Sequence, residues 1–141
     1  MSFVLDASVA LLWLVPQTNP AGVDYAEATL TALKESQAVV PSLLALETAN
    51  VVAKVEAKGI VTEADSQRFI SLLGQLNMVT DQATAKHALG DTLNLARRYK
   101  LSAYDAAYLE LALRMGLPLA TLDADLAKAA TSAGVPMFGT H

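Results

Sequence analysis

Short apolar runs that alternate with longer stretches of helical spacing are the feature of this sequence that most constrains its fold. The runs, which we predict to be strands, are residues 3–5, 38–40, 76–80, 117–121 and 135–138. Short buried strands separated by helices are typical of a parallel sheet covered on both faces, because each parallel connection needs a crossover. The sequence therefore predicts an α/β fold, a single-domain α/β/α sandwich over residues 1–141 around a parallel sheet of about five strands.

Local signals indicate where the intervening helices begin and end. Thr62 and Asp65 have the spacing of a capping box, in which each side chain binds the other residue's backbone amide. Gly59 suits the left-handed residue that follows a helix end, and Gly90 is expected to bend or break the helix that contains it. The predicted helices are residues 19–34, 42–58, 62–73, 82–99, 102–116 and 124–133.

Composition limits the classes of protein to which this chain can belong. With 141 residues and an apolar share of 53%, the chain can bury one sizeable core. Its longest apolar run, residues 9–15, is far shorter than the ~18 residues of a membrane span. No basic residue precedes Asp6, as a secretory signal would require, so we expect a soluble, cytoplasmic protein. The absence of cysteine excludes disulfides, thiolate metal sites and cysteine nucleophiles.

The net charge of −4 argues against a passive nucleic-acid binder with a broad basic surface. It does not exclude a nuclease, because acidic residues that hold divalent cations help to bind a polyanion once the metal is present. The placement of the 14 Asp and Glu residues therefore matters more than their sum.

Two acidic residues come directly after predicted strands. Asp6 interrupts the apolar stretch FVLDASVALLWLV, and Asp123 follows the fourth predicted strand. Open α/β sheets bind ligands at the carboxyl ends of their strands, and a buried carboxylate is costly unless something compensates it. Each residue is therefore a candidate ligand, and the alternative for each is the N-cap of the next helix.

Two further acidic residues lie on predicted helix faces. Glu47 is in line with Leu43 and Val51, so the stripe expected to face the core carries a carboxylate at its middle. The alternative is a Glu at the edge of that stripe, with its carboxylate in solvent. Asp105 heads a second apolar stripe, and the alternative is a capping role with Ser102, three residues earlier.

Strand ends and adjoining helix starts converge on one edge of a parallel sheet, so these four carboxylates can meet there. Their repulsion should raise their proton affinities and destabilise the metal-free fold. An all-oxygen site without cysteine or a well-placed histidine favours Mg²⁺ or Mn²⁺ over Zn²⁺.

Two hydroxyls and a fifth carboxylate adjoin the candidate ligands. Ser8 and Thr121 stand two residues from Asp6 and Asp123, from where each can bind a ligating carboxylate or a metal-bound water. The alternatives are a helix cap for Ser8 and an ordinary strand position for Thr121. Asp125 is a further acidic candidate, with an interaction with the helix dipole as its alternative.

The other polar residues have structural explanations. Five acidic residues are predicted to lie on the surface or in first helical turns: Glu56, Glu63, Asp65, Asp91 and Glu110. His87 and His141 have no neighbours that suggest a catalytic triad, and no glycine-rich phosphate loop occurs. Arg97, Arg98 and Lys100 form a tight basic cluster, either a solvated helix end or a phosphate contact.

Three segments together carry a family resemblance. They read VLDASVALLWL near the start, LLALETANVV about forty residues later, and LSAYDAAYLELALRMGLPLATLDADL near the end. In order, spacing and total length, the chain resembles a PIN domain protein over nearly its whole length. More narrowly, it resembles the VapC-type ribonuclease toxin of a bacterial or archaeal toxin–antitoxin pair.

The resemblance implies an α/β/α sandwich with an acidic cluster that holds Mg²⁺ or Mn²⁺ for RNA cleavage. By position, the metal-binding and catalytic residues are Asp6, Glu47, Asp105 and Asp123. Supporting roles fall to Ser8, Asn50 and Thr121, and Asp125 matches a position that is acidic in some members. The resemblance also implies a small antitoxin whose tail occupies the acidic groove, and a homodimer.

The expected activity is metal-assisted hydrolysis of RNA phosphodiester bonds. One alternative is a PIN-like module that binds a partner without catalysis. The other is a Mg²⁺-binding receiver domain, which requires paired acids after the first strand and a lysine after the last. This chain has Asp6 alone at the first position and VPMFGTH at the second.

Overall fold

The apolar run at the N-terminus forms a central strand, β1 (Ser2–Leu5), in the computed structural model, which describes residues 1–139. Phe3, Val4 and Leu5 are all fully buried. Because successive side chains of a strand point to opposite faces, both faces of the sheet at β1 are covered. His141, which we predict to be non-catalytic, lies outside the described residues.

Four parallel strands make up the sheet described within residues 1–139. After β1 come β2 (Gln37–Pro41), β3 (Met78–Asp81) and β4 (Leu119–Ala120), in the spatial order β3-β2-β1-β4. The chain moves outward from β1 to β3 and then returns to pair β4 with the other side of β1. The strand order therefore reverses between β1 and β4, where open α/β sheets bind ligands. The predicted α/β class and parallel sheet are confirmed.

The predicted fifth strand at residues 135–138 is wrong. That segment forms a single parallel bridge, between Leu119 and Met137. The Leu119 amide donates to Pro136 O at 3.0 Å, and the Phe138 amide donates to Leu119 O at 2.9 Å. Pro136 has no N–H to continue a ladder, which explains why pairing stops after one bridge.

Side-chain contacts hold this terminal segment against the core. The Phe138 ring stacks on Phe3, with ring centroids 3.8 Å apart. The Tyr25 hydroxyl donates a hydrogen bond to Phe138 O at 2.6 Å. The apolar pattern at the end of the chain therefore reports burial rather than strand pairing.

Eight α-helices connect the strands within the described chain, and none is long and apolar enough to cross a membrane. They are α1 (Ala7–Ala10), α2 (Val23–Ala32), α3 (Leu43–Ala57), α4 (Glu63–Gln75), α5 (Thr84–His87), α6 (Leu93–Tyr99), α7 (Ala103–Met115) and α8 (Ala124–Ser132). The predicted helix at residues 19–34 starts as a 3₁₀ turn, Pro20–Gly22, and is α-helical only over α2. The predicted bounds of α3, α4, α7 and α8 agree with the structure to within two residues.

Local signals account for several of these boundaries. At the start of α4, Thr62 Oγ1 accepts from the Asp65 amide at 3.1 Å, and Asp65 Oδ2 accepts from the Thr62 amide at 2.9 Å. Beyond α3, Gly59 has a φ of +72°, a left-handed conformation that L side chains disfavour. The predicted capping box and glycine stop are both confirmed.

The predicted helix at residues 82–99 is interrupted, as expected from Gly90. It consists of α5, a π-helical segment at Ala88–Thr92 and α6. Gly90 lies inside the π-helical segment, where its low helix propensity weakens the α-helical ladder.

The prediction that Glu110 lies on the surface is wrong. Glu110 is only 4% exposed, on a stretch of α7 that is buried on all sides. Arg114 Nε donates to Glu110 Oε2 at 2.8 Å, and Arg114 Nη2 donates to Asp81 Oδ2 at 2.7 Å. One guanidinium therefore neutralises a buried carboxylate on α7 and ties the end of β3 to that helix.

Candidate metal centre

Asp6 is held by two hydroxyls at the end of β1. It is 4% exposed, and its Oδ2 accepts from Ser8 Oγ at 2.6 Å and from Thr121 Oγ1 at 2.7 Å. Asp6 occupies the N-cap position of α1, but its side chain makes no capping hydrogen bond to the described chain. Burial raises the pKa of this carboxyl, and the two hydroxyls oppose the rise. Helix capping therefore does not account for Asp6.

The same hydroxyls bind the loop that follows β4. Ser8 Oγ accepts from the Leu122 amide at 2.9 Å, and Thr121 Oγ1 accepts from the Asp123 amide at 3.0 Å. Each hydroxyl thus donates to Asp6 and accepts from the backbone of the neighbouring loop. These bonds fasten the ends of β1 and β4 together and bring Asp123 beside Asp6.

Asp123 begins α8 and caps it. Its Oδ1 accepts from the Leu126 amide at 2.8 Å, and its side chain is only partly buried. The capping alternative is therefore realised for Asp123. Its charge nevertheless acts on the cluster, because it raises the pKa of both Asp6 and Asp105.

Glu47 lies at the flank of the buried face of α3, not at its middle as predicted. The residues that α3 buries are Leu44, Thr48, Val52 and Val55. The line through Leu43, Glu47 and Val51 is rotated by one residue from that face and is half-buried. Glu47 Oε1 accepts a hydrogen bond from the Tyr108 hydroxyl at 2.6 Å. Burial raises the pKa of Glu47, and this hydrogen bond opposes the rise.

Tyr108 is a site residue that the sequence analysis did not single out. It is fully buried on α7, one turn after Asp105. A buried tyrosine hydroxyl needs a hydrogen-bond partner, and an apolar stripe that contains Tyr beside an acidic residue is the signal that would have found it.

Asp105 lies half-buried in the first turn of α7. Its backbone amide donates to Ser102 Oγ at 3.0 Å, so the predicted cap at Ser102 is present and uses the amide of Asp105. Burial is the main cause that raises the pKa of Asp105 to about 6, followed by the charges of Asp123 and Asp6. Asp125 adds a smaller effect of the same sign.

The four predicted carboxylates therefore share one acidic cluster at the carboxyl ends of β1 and β4. Glu47 feels the charges of Asp6 and Asp105, and Asp105 feels those of Asp123 and Asp6. Over residues 1–139, no lysine or arginine forms an ion pair with any of them. In the same span, no three acidic or histidine side chains lie close enough together to coordinate one ion in this conformation.

The donor set of this cluster fits a hard divalent cation. All its donors are oxygens, which Mg²⁺ and Mn²⁺ prefer. Burial is the main cause that raises the pKa of Asp6, Glu47 and Asp105, and a cation would relieve the smaller contribution that comes from their mutual repulsion. Asp6 forms the buried floor, whereas the other three side chains are reachable from solvent.

Two further predicted residues lie at the margin. Asn50 is exposed one turn after Glu47 on α3, and Asp125 is exposed in the first turn of α8. Asp125 contributes to the pKa of Asp105, so it lies near the rim of the cluster. Metal-supporting roles for both residues stay predictions.

A family model of the PIN domain matches residues 3–131 of this chain. The chain belongs to the PIN domain family. This family match leaves the receiver-domain alternative without support.

Known relatives extend along almost the whole of this PIN domain. Ribonuclease VapC3 of Pyrobaculum aerophilum is 29% identical over 128 residues, which cover 91% of this chain and 94% of the relative. The crystal structure of PAE2754 from the same organism matches with a TM-score of 0.65 and 22% identity, over 92% of this chain and 79% of the other.

Two further solved structures share the fold. VapBC2 from Rickettsia felis, bound to a DNA fragment from their promoter, matches with a TM-score of 0.67 and 14% identity over 100% of both chains. FitAcB from Neisseria gonorrhoeae matches with a TM-score of 0.60 and 22% identity, over 99% of this chain and 97% of the other. At these identities the similarity concerns the fold.

Proposed function

We propose that this PIN domain is a metal-dependent endoribonuclease that acts as the toxin of a type II toxin–antitoxin pair. The observation that carries the proposal is the meeting of four carboxylates without a paired lysine or arginine, within the described residues, at the point where the strand order reverses. The similarity to ribonuclease VapC3 supports RNA as the substrate.

The residues that would hold Mg²⁺ or Mn²⁺ are Asp6, Glu47, Asp105 and Asp123. The chemistry that such an ion supplies when bound is neutralisation of phosphate charge and a lower pKa for an attacking water. We assign to Ser8, Asn50 and Thr121 the role of supporting the metal ligands. Asp125 is a further candidate ligand, and weaker metal binding after its removal would assign it that role.

The protein itself fixes the positions of these carboxylate oxygens and sets their charge. Ser8 and Thr121 orient Asp6, and Tyr108 orients Glu47, so these two carboxylates lose little further freedom when a ligand binds. Asp105 holds its proton up to a pH of about 6 in the metal-free protein, so metal binding below that pH displaces a proton.

For the partners, we propose a small cognate antitoxin whose tail occupies the acidic cluster, and a homodimer of this chain. The likeness to VapBC2 and FitAcB supports the antitoxin, and a cluster of four carboxylates suits a basic side chain from such a tail. We propose that the chain is a single domain and that it acts on RNA in the cytoplasm.

The test is cleavage of end-labelled RNA by the purified protein in Mg²⁺, in Mn²⁺ and in EDTA. We expect cleavage only with metal, and a loss of at least about 100-fold in Asp105→Asn, because that variant removes one charged oxygen from the cluster. Asp91→Asn, an exposed acid on the π-helical segment, serves as the charge-matched control and should cleave normally.

Two outcomes would contradict the proposal. One is cleavage by Asp105→Asn at the unsubstituted rate, and the other is cleavage in EDTA. Failure of the unsubstituted protein to cut any RNA with either metal would favour the non-catalytic binding module instead.

A further inference from the structure

Unpaired cations gather at one place on this acidic protein. A groove of about 350 Å³ between the end of α6 and the outer face of α8 is lined by Arg98, Lys100 and Lys128, together with Tyr99 and Asp125. We call it the α6–α8 groove. We propose that it binds backbone phosphates of the RNA substrate that neighbour the scissile bond, an inference that rests on the proposed function.

The groove carries excess positive charge in a chain whose net charge is −4. Its three cations are exposed, and none forms an ion pair with any residue in the part of the chain that is described. Asp125 is the one acid in the lining. A solvent-facing group of unneutralised cations attracts a polyanion.

Lys100 stands where the backbone favours glycine. It ends α6 with φ 56° and ψ 43°, and it is the one non-glycine residue with a positive φ in the described chain. The corresponding position after α7 is Gly116, with φ 65°. An L side chain is disfavoured in this region, so a lysine here adds charge to the groove at the expense of backbone stability.

Arg98 and Tyr99 give the groove a flat, partly ordered wall. The Arg98 guanidinium lies over the Tyr99 ring, 5.6 Å from its centroid. This cation–π contact restrains a long side chain that would otherwise lose more freedom on binding phosphate. Aromatic and guanidinium planes are also the surfaces on which single-stranded RNA bases stack.

The groove continues directly from the acidic cluster. Asp125 lines the groove and also raises the pKa of Asp105. On α8, Lys128 is five residues beyond Asp123, an axial rise of about 7.5 Å. A strand with one phosphate at the cluster therefore has its neighbouring phosphates within reach of the groove.

This continuity favours RNA over an acidic protein segment. An acidic segment that ran from the groove to the cluster would place its carboxylates beside Asp125 and then Asp123, where like charges repel. A nucleic-acid strand bound at a metal-loaded cluster does not meet that penalty, because its phosphate there is the group that the cation neutralises.

The test measures binding without cleavage. In the Asp105→Asn background, which we expect not to cleave, the affinity for a fluorescein-labelled single-stranded RNA is measured by anisotropy in Mg²⁺ across a salt series. We expect Arg98→Gln/Lys128→Gln to lose about tenfold in affinity, and its log–log salt slope to shrink by about 1.4, since each lost single-strand phosphate contact removes about 0.7. The charge-matched control is Lys54→Gln/Lys58→Gln, two exposed lysines on and just after α3, which should change affinity less than about twofold.

A second variant separates charge from folding. Lys100→Gly removes a cation while it relieves the left-handed backbone, so we expect weaker RNA binding together with a higher melting temperature. Loss of affinity in that variant cannot be attributed to a damaged fold.

Three outcomes would overturn the inference. The first is RNA affinity unchanged in the groove variants, and the second is an equal loss in the groove and control pairs. The third is retained RNA binding with lost binding of a poly-glutamate peptide, which would assign the groove to an acidic protein. Failure of the proposed function would give a different result. The unsubstituted protein would then cut no RNA, while the groove variants would still lose RNA binding.

Discussion

At the scale of single residues, Asp6 shows how this chain accommodates a buried carboxylate. The hydroxyls of Ser8 and Thr121 both donate hydrogen bonds to Asp6 Oδ2. Each hydroxyl also accepts a hydrogen bond from a backbone amide of the loop after β4. Charge-assisted hydrogen bonds of this kind offset part of the desolvation cost. They also leave Asp6 little rotational freedom, as a preorganised ligand requires.

Tyr108 has the corresponding role for Glu47. Its hydroxyl spans from α7 to α3 and lies 2.6 Å from Glu47 Oε1. The helix that carries Asp105 therefore also orients a carboxylate on another helix. A hydrogen bond to a ligating carboxylate fixes the direction in which its oxygens point.

Tyr108→Phe tests this role, because it removes one hydroxyl and keeps the buried ring. We expect the affinity for Mn²⁺, measured by calorimetry at pH 7, to fall about tenfold, since loss of an outer-shell partner typically costs 10–100-fold. Tyr104→Phe makes the same change on the same helix at a side chain that is 66% exposed, and should have no effect. Equal Mn²⁺ affinity in both variants would refute an orienting role for Tyr108.

At the scale of elements, the reversal of strand order between β1 and β4 positions the cluster. Asp6 directly follows β1, Asp123 follows β4, and α3 and α7 bring Glu47 and Asp105 to the same edge. α7 packs against β1, β2 and β4 as well as α6 and α8. The position of this one helix therefore affects both the acidic cluster and the α6–α8 groove.

Arg114 anchors α7 to the end of β3 through its two carboxylate partners. Arg114→Met leaves Glu110 and Asp81 without a counter-charge, so we expect a loss of about 3 kcal/mol in the free energy of unfolding, measured in urea at pH 7. Hydrogen bonds from Arg114 hold the pKa of Asp81 below its usual value. The contribution of Asp81 is therefore present at neutral pH and is lost as the pH falls through its lowered pKa.

The matched control is Arg68→Met. Arg68 pairs with Asp65 on the exposed face of α4, with 72% of its side chain in solvent, so its removal should leave the stability almost unchanged. If both variants lost the same stability, or neither lost any, the anchoring role of Arg114 would be excluded.

At the scale of the whole molecule, the local signals predicted more than the long-range ones. The bounds of α3, α4, α7 and α8, the Thr62–Asp65 capping box and the break at Gly90 depend on neighbours in sequence, and all agree with the structure. The fifth strand failed because Pro136 stops a ladder that apolar periodicity alone suggests.

Errors about the surroundings of individual side chains have a different cause, because those surroundings depend on distant partners. Glu110 was predicted to be exposed, yet its surroundings depend on Arg114 and, through it, on Asp81 far along the chain. The flank position of Glu47 follows from a rotation of α3 by one residue, which a helical wheel does not resolve. The Tyr108 bond joins residues 61 positions apart and leaves no local signal for its partner.

Charge is also arranged at this scale. The chain is acidic overall, but four of its 14 acidic residues meet in one cluster while three cations line the adjoining α6–α8 groove. Net charge describes neither feature. The proposed function depends on the claim that four carboxylates from distant parts of the chain form one divalent-cation site.

Calorimetric titration of the metal-free protein with Mn²⁺, at pH 7 and pH 5, tests that claim most directly. We expect binding at pH 7, weaker binding at pH 5 where protons compete for Asp105, whose pKa is about 6, and a loss of at least about tenfold in Asp6→Asn. Glu63→Gln, an exposed acid on α4, should bind as the unsubstituted protein does. Equal Mn²⁺ affinity in Asp6→Asn and the unsubstituted protein at pH 7 would contradict the claim.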